Sequence, residues 1–221
     1  MKKTFTIKPL GGLCNCLRVL LSCADYCDDM GYNLLCIWNS WQNNVHFTDF
    51  FKNIKGVSFT DSYQGHVDYE SCFEISATGK EIRSRDFTAN LSQLKLKDEI
   101  QTKINELPIA RESFISCHVR RGDHTKIYRN LSYYYKLIDS STYNFIHLCT
   151  DDPHIQNEFS ARYKDKLWYY EKITKNKSTL RNTSSLSTII DLFLPLHAKD
   201  FIGTKGSSFT SFIQKSRNEL S

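Results

Sequence analysis

The chain has 221 residues, of which 40% are hydrophobic and 24% are charged, and its formal net charge at pH 7 is +5. This is ordinary globular usage, which excludes a disordered or fibrous chain. The length suits one large domain or two small ones. The modest, dispersed positive charge fits an anionic small ligand such as a nucleotide, and we expect no nucleic-acid partner because no recognised binding motif is present.

The lack of recognisable targeting signals, together with the cysteine usage, predicts a cytoplasmic protein. No apolar run approaches the roughly 20 residues that a membrane span requires, so we expect no span, and the N-terminus lacks the apolar core of a signal peptide. Without such a signal, the Asn-x-Ser sequons at Asn90, Asn130, Asn176 and Asn182 are expected to stay unmodified. The eight cysteines form no Cys-x-x-Cys pair, and small buried thiols are a better interpretation than metal ligands. We therefore predict reduced thiols and no metal site.

The first elements form a strand–helix–strand unit. A strand is predicted over 4–7, a turn over 10–12, a helix over 14–30 that ends at Gly31, and a second strand over 33–38. The turn contains a Gly-Gly pair but lacks a complete dinucleotide fingerprint, so it is weak support for nucleotide binding.

The pattern is less regular between this unit and the middle of the chain. We expect a loop and a short helix over 41–51, and a short buried piece at Cys72-Phe73 with no other assigned element before Arg85. The leucine and isoleucine spacing predicts a helix over 91–107, ended by Pro108. A boundary after this proline divides the chain into domains 1–110 and 111–221.

The second half alternates between strands and helices, which predicts an α/β domain. Pro153 suits the first position of a helix that Asp152 caps, and Pro195 is expected to kink or end a later helix. The predicted elements are strand 114–119, helix 132–138, strand 145–149, helix 153–163, strand 167–170, helix 186–197, strand 201–202 and helix 209–217.

The segment His118-Val119-Arg120-Arg121-Gly122-Asp123 directly follows the apolar run Phe114-Ile115-Ser116-Cys117, so its two arginines stand where the predicted strand ends. In open α/β sheets, ligands bind outside the carboxyl ends of the strands. Arginine can bind a phosphate there through two parallel hydrogen bonds. On position alone, a phosphate site is as good an interpretation as a solvated turn or an ion pair between an arginine and Asp123.

Two other strand ends carry polar clusters that should lie on the same edge. They are Thr150-Asp151-Asp152 and the loop Gly203-Thr204-Lys205-Gly206-Ser207-Ser208, which opens the last helix. A helix N-terminus can receive a phosphate, although the loop taken alone fits an ordinary capped turn better. Together with the arginine pair, it favours a phosphorylated ligand. Asp191 can accept both donors of a guanine edge, but its spacing alone favours an ordinary helix residue.

These segments together resemble a known family. The segment from His118 to Asp123 resembles the HxRRxD motif of the GDP-fucose-dependent fucosyltransferase superfamily, which includes α1,6-fucosyltransferases, the nodulation fucosyltransferase and protein O-fucosyltransferases. Thr150-Asp151-Asp152-Pro153, the helix that bears Asp191, and Ser207-Ser208 are similar to later motifs of the α1,6 enzymes. The turn from Gly11 to Leu17 is similar to a glycine-rich turn of related enzymes. The likeness covers 114–215 well and 5–51 loosely.

The resemblance implies a role for each matching residue. Arg120 would bind the donor β-phosphate, with Arg121 beside it, and would stabilise the departing GDP. The main chain of His118 and the carboxylate of Asp191 would contact guanine. The remaining donor-site candidates are Ser207 and Ser208 near the pyrophosphate, Asp151 and Asp152 at the same edge, and Gly12 and Asn15 in the cleft between the halves.

The resemblance further implies a GT-B-like α/β fold with two Rossmann-like halves, of which the N-terminal, acceptor-side half is shortened. The expected reaction is inverting, metal-independent transfer of fucose from a GDP-sugar donor to a glycan or glycoconjugate acceptor, without a cofactor. Tyr128 stands where the α1,6 enzymes carry a glutamate, so the base is unassigned, and Arg120, Asp123 and His124 are the candidate catalytic residues. The alternative is a non-catalytic nucleotide or phosphosugar-binding protein on the same fold.

Overall fold

The computed structural model describes residues 2–39, 45–73, 86–121, 130–170 and 184–220. The chain divides into two compact units, Met1–Ile100 and Gln101–Ser221. The boundary predicted from the sequence lay between residues 110 and 111, shortly after Pro108. Among the described residues, no helix has the length and apolar character needed to cross a membrane.

The first unit contains a four-stranded parallel sheet in the order β3-β2-β1-β4. The predicted strand–helix–strand start is confirmed, and Gly31 ends the helix in the left-handed conformation with φ of 65°. The elements are β1 (Thr4–Pro9), α1 (Leu13–Met30), β2 (Asn33–Ile37), a 3₁₀ turn (Phe47–Asp49), β3 (Val57–Thr60), β4 (Tyr69–Ser71) and a 3₁₀ segment (Phe87–Gln93). Helix α2 (Asp98–Asn105) spans the boundary between the two units.

Two strands of this sheet were missed by the sequence analysis. Strands β3 and β4 lie at the two edges of the sheet, and neither has a fully buried face. They therefore lack the alternation of apolar and polar residues from which a strand is predicted. The predicted buried piece at Cys72-Phe73 is wrong for Phe73, whose residue surface is 66% exposed.

The single helix predicted over 91–107 is also wrong. The 3₁₀ segment ends at Gln93, and α2 begins only at Asp98. Between them Leu96 forms an antiparallel bridge with Phe51, supported by backbone hydrogen bonds on both sides. Leu94 and Leu96 are both buried, which is the two-residue period of an extended chain. The pairing with a distant segment therefore outweighs the local helical spacing.

The second unit contains another four-stranded parallel sheet, in the order β7-β6-β5-β8. Its predicted elements are confirmed with small shifts at their ends, and the α-helix predicted to break at Pro195 ends at Phe193. The elements are a 3₁₀ turn (Pro108–Arg111), β5 (Phe114–Val119), α3 (Leu131–Asp139), β6 (Phe145–Thr150), α4 (Pro153–Tyr163), a 3₁₀ turn (Lys164–Lys166), β7 (Leu167–Trp168), α5 (Ser185–Phe193), a 3₁₀ turn (Leu194–His197), β8 (Asp200–Gly203) and α6 (Ser208–Leu220).

Helices cover both faces of this second sheet. On one face, the apolar side chains of β5 and β6 pack with those of α3 and α4 in a core that includes Leu148, Tyr134 and Phe159. The opposite face carries polar side chains that contact α5 and α6. Strand β5 is buried along its whole length, as expected for a central strand covered on both sides.

The prediction of free, buried cysteines is confirmed for seven of the eight. All eight lie within the described residues as free thiols, and only Cys72 is partly exposed. Burial raises the pKa of the Cys23, Cys36 and Cys117 thiols well above the ordinary value, so they remain neutral at physiological pH. The cytoplasmic location itself stays a prediction.

Candidate functional site

Three strand ends of the second unit meet at one edge, as the sequence analysis predicted. Strands β5, β6 and β8 run parallel, so their carboxyl ends lie on the same side of the sheet. Arg120 follows β5, Asp151 follows β6, and the loop 203–208 joins β8 to α6. The structure thereby brings together groups that are 30 to 84 positions apart in the chain, as their direct hydrogen bonds show.

This edge includes the point where the order of the sheet reverses. From β5, the chain adds β6 and β7 on one side and then returns to place β8 on the other. The helix after β5 packs on one face, whereas the helix after β8 contacts the other face. In open α/β sheets, the crevice at such a reversal is the usual ligand site. The topology therefore selects the β5–β8 boundary, which Arg120 and the loop 203–208 flank.

One carboxylate binds both residues of the arginine pair. An oxygen of Asp151 lies 3.6 Å from Nη1 of Arg120, and its other oxygen accepts a hydrogen bond from the Arg121 backbone N–H at 3.3 Å. The side chains of Arg120 and Asp151 are 26% and 15% exposed, so the pair is partly shielded from water yet reachable. Asp151 thus holds the Arg120 guanidinium and the Arg121 backbone, and its predicted contact with a ligand stays a prediction.

The neighbouring acid has a different task. The carboxylate of Asp152 accepts a hydrogen bond from the His154 backbone N–H at 2.8 Å and caps α4. The Thr150 hydroxyl accepts from the Asp152 backbone N–H at 3.2 Å and steadies the turn. The predicted helix cap is confirmed, and a role for Asp152 in ligand binding stays a prediction.

The loop 203–208 turns one side chain inward and leaves its tip exposed. Lys205 and Gly206 are exposed, and Gly206 has a φ of 82°, a conformation that glycine adopts without strain. Ser207 precedes α6, and its hydroxyl lies 3.5 Å from the Thr210 backbone N–H. Thr204 points into the protein and is only 2% exposed. The loop therefore offers its tip and the half-buried Ser207 and Ser208 to a ligand, but not Thr204.

His118, the first residue of the motif, is held from the side of α6. Its Nδ1 lies 2.8 Å from the Thr210 hydroxyl, and its ring lies 4.7 Å from the ring of Phe209. The His118 carbonyl oxygen accepts a hydrogen bond from Thr204 at 3.0 Å. These contacts leave His118 6% exposed and fix its backbone beside the loop.

Asp191 belongs to a buried polar cluster beneath α5. One of its carboxylate oxygens lies 3.5 Å from Nε2 of His147, and the opposite ring nitrogen, Nδ1, is 3.0 Å from the hydroxyl of Ser116. The thiol of Cys149 donates to the backbone oxygen of Asp191 at 3.4 Å. The position predicted to read guanine thus has a protein partner, and its contact with a base stays a prediction.

The same cluster places three potential metal ligands close together. His147, Cys149 and Asp191 place one potential ligand atom each within 4.8 Å of the others. The sulfur of Cys149, however, is 3.6 Å from Nδ1 of His147 and 3.7 Å from Nε2, so it faces the ring rather than a single nitrogen lone pair. A hydrogen-bonded cluster explains this arrangement better than three ligands aimed at one point.

Gly12 and Asn15 lie in the first unit, at the turn between β1 and α1. Gly12 occupies the N-cap position of α1, and its carbonyl accepts from the Cys16 backbone N–H at 3.1 Å. Gly11 has a φ of 91°, and a Cβ there would lie 3.1 Å from the side-chain nitrogen of Asn15. The close turn therefore requires glycine at position 11, while the cleft role of Gly12 and Asn15 stays a prediction.

Two of the three candidate catalytic residues, Asp123 and His124, lie outside the described residues, as does Tyr128. Within the described part of the edge, Arg120 is the candidate that can act on a ligand directly.

The hydrogen-bond and ion-pair partners of the site residues were not predicted from the sequence. Thr204 binds the motif from the loop after β8, Tyr134 of α3 bonds to Thr204, and His147 pairs with Asp191. The sequence carried a signal for the polar cluster around His147, because polar and apolar residues alternate along β5 and β6. The structure pairs Ser116 with His147 in register, so these two polar side chains share one face of the sheet.

Comparisons with known proteins agree on the fold. The sequence matches no protein-family model and no curated protein. Among solved structures, it is similar to the fucosyltransferase NodZ from Bradyrhizobium, with 17% identity, a TM-score of 0.67, and coverage of 97% of this chain and 93% of that one. It is also similar to NodZ α-1,6-fucosyltransferase soaked with GDP-fucose, at 15% identity and a TM-score of 0.69, covering 97% and 92% of the two chains.

A third similar structure is POFUT1 in complex with GDP, at 10% identity and a TM-score of 0.65, covering 100% of this chain and 96% of that one. At such identities the likeness concerns the fold. The predicted fold class is confirmed: the chain is an α/β protein with two parallel sheets that match the GT-B-like fucosyltransferase fold.

Proposed function

We propose that the protein is a glycosyltransferase of the GDP-fucose-dependent fucosyltransferase superfamily. It transfers fucose from GDP-fucose to a hydroxyl of a glycan or glycoconjugate, with inversion and without a metal ion. The observation that carries the proposal is the placement of Arg120 and the loop 203–208 on either side of the sheet reversal, within a fold shared with fucosyltransferases. Two of the similar structures were obtained with GDP-fucose or GDP.

The residues at the edge suit the charge changes of the reaction. Glycosyl transfer builds negative charge on the leaving diphosphate while an oxocarbenium-like centre forms. A fixed guanidinium at that position stabilises the transition state more than the ground state, which lowers the barrier. Arg120 supplies this group, and the N-terminus of α6, with Ser207 and Ser208, adds favourable dipoles for the phosphates. Arginine thus supplies positive charge at the diphosphate without a divalent ion.

We assign recognition of the guanine base of the nucleotide to Asp191. A carboxylate accepts hydrogen bonds from N1–H and the exocyclic amine of guanine together, whereas adenine cannot present that pair of donors. Under this assignment, the Asp191 carboxylate, which lies 3.5 Å from Nε2 of His147, engages guanine when the nucleotide binds.

The first test is a calorimetric titration with GDP in the presence of EDTA, with UDP and ADP as controls. We expect selective GDP binding without metal. Incubation with GDP-fucose and a panel of glycan acceptors then tests transfer, and the anomeric configuration of the product, read by NMR, tests inversion. Absence of GDP binding in both EDTA and added divalent metal would reject the proposal.

The second candidate is a non-catalytic protein that binds a nucleotide or phosphosugar on the same fold. It is favoured by Tyr128 in the place where the related α1,6 enzymes carry a glutamate. The two candidates differ in turnover. Tight GDP binding with neither hydrolysis of GDP-fucose nor transfer to any acceptor supports the binding protein.

A further inference from the structure

A single buried hydroxyl connects three elements at the candidate site. The Oγ1 of Thr204 lies 2.9 Å from the backbone N–H of Arg120, 3.0 Å from the carbonyl oxygen of His118 and 2.9 Å from the hydroxyl of Tyr134. Thr204 follows β8, His118 lies near the end of β5 and Arg120 directly after it, and Tyr134 lies in α3. All three elements border the point where the sheet reverses.

The three contacts use the full capacity of a hydroxyl. A threonine hydroxyl has one proton to donate and two lone pairs to accept with. Because the His118 carbonyl can only accept and the Arg120 N–H can only donate, the Thr204 proton goes to His118, and Tyr134 must donate its own proton to Thr204. Among common side chains of this size, only serine can replace all three bonds.

The position of this hydroxyl matters because the sheet ladder stops there. The pairing of β5 with β8 ends at His118 opposite Gly203. The bond from Arg120 to Thr204 is the next connection between the two strand ends, one step beyond the ladder. Thr204 is 2% exposed, so it acts on a ligand through the backbone that it holds.

We propose that Thr204 is the positioning residue for Arg120, which it holds at the angle needed to meet the diphosphate. This inference rests on the proposed function, since it assumes that Arg120 binds the phosphates of GDP. Tyr134 serves as a support that saturates the second lone pair of Thr204. Because its backbone is already fixed, Arg120 then loses less conformational entropy when the ligand binds.

The test compares GDP affinity by calorimetry for the wild type, Thr204→Val and Thr204→Ser, with thermal unfolding measured in parallel. Valine keeps the shape and removes all three bonds, so we expect about a tenfold loss of affinity. Serine keeps the hydroxyl, and we expect its affinity to return to within about twofold of the wild type. Thr6→Val, a buried threonine of β1 in the other unit, is the matched control and should leave GDP affinity unchanged.

A double-mutant cycle with Arg120→Ala separates positioning from general stability. If Thr204 acts through Arg120, Thr204→Val costs no further affinity once the arginine is absent. An equal loss in both backgrounds, or a Thr204→Val affinity equal to the wild type, overturns the inference while the proposed function stands. A wild-type protein that binds no GDP overturns the proposed function and this inference together.

Tyr134→Phe keeps the test decisive if Thr204→Val does not fold. It removes only the hydroxyl that donates to Thr204, and we expect about a threefold loss of GDP affinity that likewise disappears in the Arg120→Ala background. Wild-type affinity in this variant would overturn the inference in that case.

Discussion

The guanidinium of Arg120 lies 3.6 Å from the carboxylate of Asp151, and the same carboxylate accepts the backbone N–H of Arg121. One acid that follows β6 therefore holds two consecutive residues that follow β5. The arrangement orients the Arg120 guanidinium and the Arg121 backbone, and it also places a negative charge beside the proposed diphosphate site.

Replacing Asp151 by asparagine tests whether its orientation of the arginine pair or its negative charge has the larger effect on GDP binding. Asparagine keeps an oxygen for the Arg121 N–H but removes the charge, so we expect GDP affinity to rise about two- to fivefold at low ionic strength. The gain should shrink as salt is added. Asp152→Asn is the matched control, because it removes an equal charge one residue away while preserving the cap of α4, and it should change affinity less. Weaker GDP binding by Asp151→Asn would mean that orientation dominates.

Arg120→Ala tests the residue that carries the proposed function. Loss of a charge-assisted contact to phosphate should weaken GDP binding by roughly 1.5–3 kcal/mol. Arg120→Lys keeps the charge but not the planar pair of donors, so we expect it to recover only part of the affinity. Calorimetry of the three proteins provides the comparison, and equal GDP affinity in wild type and Arg120→Ala would contradict the assignment.

Asp191→Asn distinguishes a guanine contact from a core contact. An amide offers one acceptor where the carboxylate offers two, so we expect GDP affinity to fall by about tenfold or more, while weak binding of ADP stays the same. Unfolding in urea should be measured alongside, because Asp191 also pairs with His147. Lower stability with unchanged preference for GDP over ADP would assign Asp191 to the core alone.

Gly203→Ala tests how closely β8 and α6 approach. A Cβ at Gly203 would clash with the Cγ2 of Thr210 and lie 2.8 Å from its Oγ1, the atom that contacts His118. Overpacking of this kind costs about 1–3 kcal/mol of stability, measured by urea denaturation. Adding Thr210→Ser removes the clashing methyl and keeps the hydroxyl, so it should restore part of the loss. Wild-type stability in Gly203→Ala alone would contradict this packing.

The pH dependence of stability should reflect the buried thiols. Burial, with a smaller contribution from Asp68, raises the pKa of Cys27 from 9.0 to about 12. Between these values the unfolded chain loses a proton that the folded protein keeps, so the contribution present below pH 9 is lost as the pH rises.

Urea unfolding at pH 8 and pH 10 measures the effect of Cys27. We expect the wild type to lose on the order of 1 kcal/mol more than Cys27→Ala over this interval. Equal losses in the two proteins would show that the thiol does not carry this dependence.

The features of the fold that depend on local chemistry could be predicted from the sequence. The cap at Asp152 with Pro153 in the next position, the left-handed end of α1 at Gly31 and the buried strand before Arg120 all follow from interactions within a few residues. Alternation of strands and helices then implied a parallel sheet, which placed three polar strand ends on one edge. The proposed role of Arg120 depends on this reasoning together with the family resemblance.

Contacts between distant elements set which side chains face the edge of the sheet and which turn inward. The hydroxyl of Thr204 and the pairing of Asp191 with His147 depend on groups from distant elements, so spacing along the chain could not reveal them. The same holds for the segment around Leu96, where an antiparallel bridge to Phe51 replaces the helix that local periodicity predicts. Burial and hydrogen bonding across the fold outweigh the small energies of local propensity, and they set the final conformation wherever the two conflict.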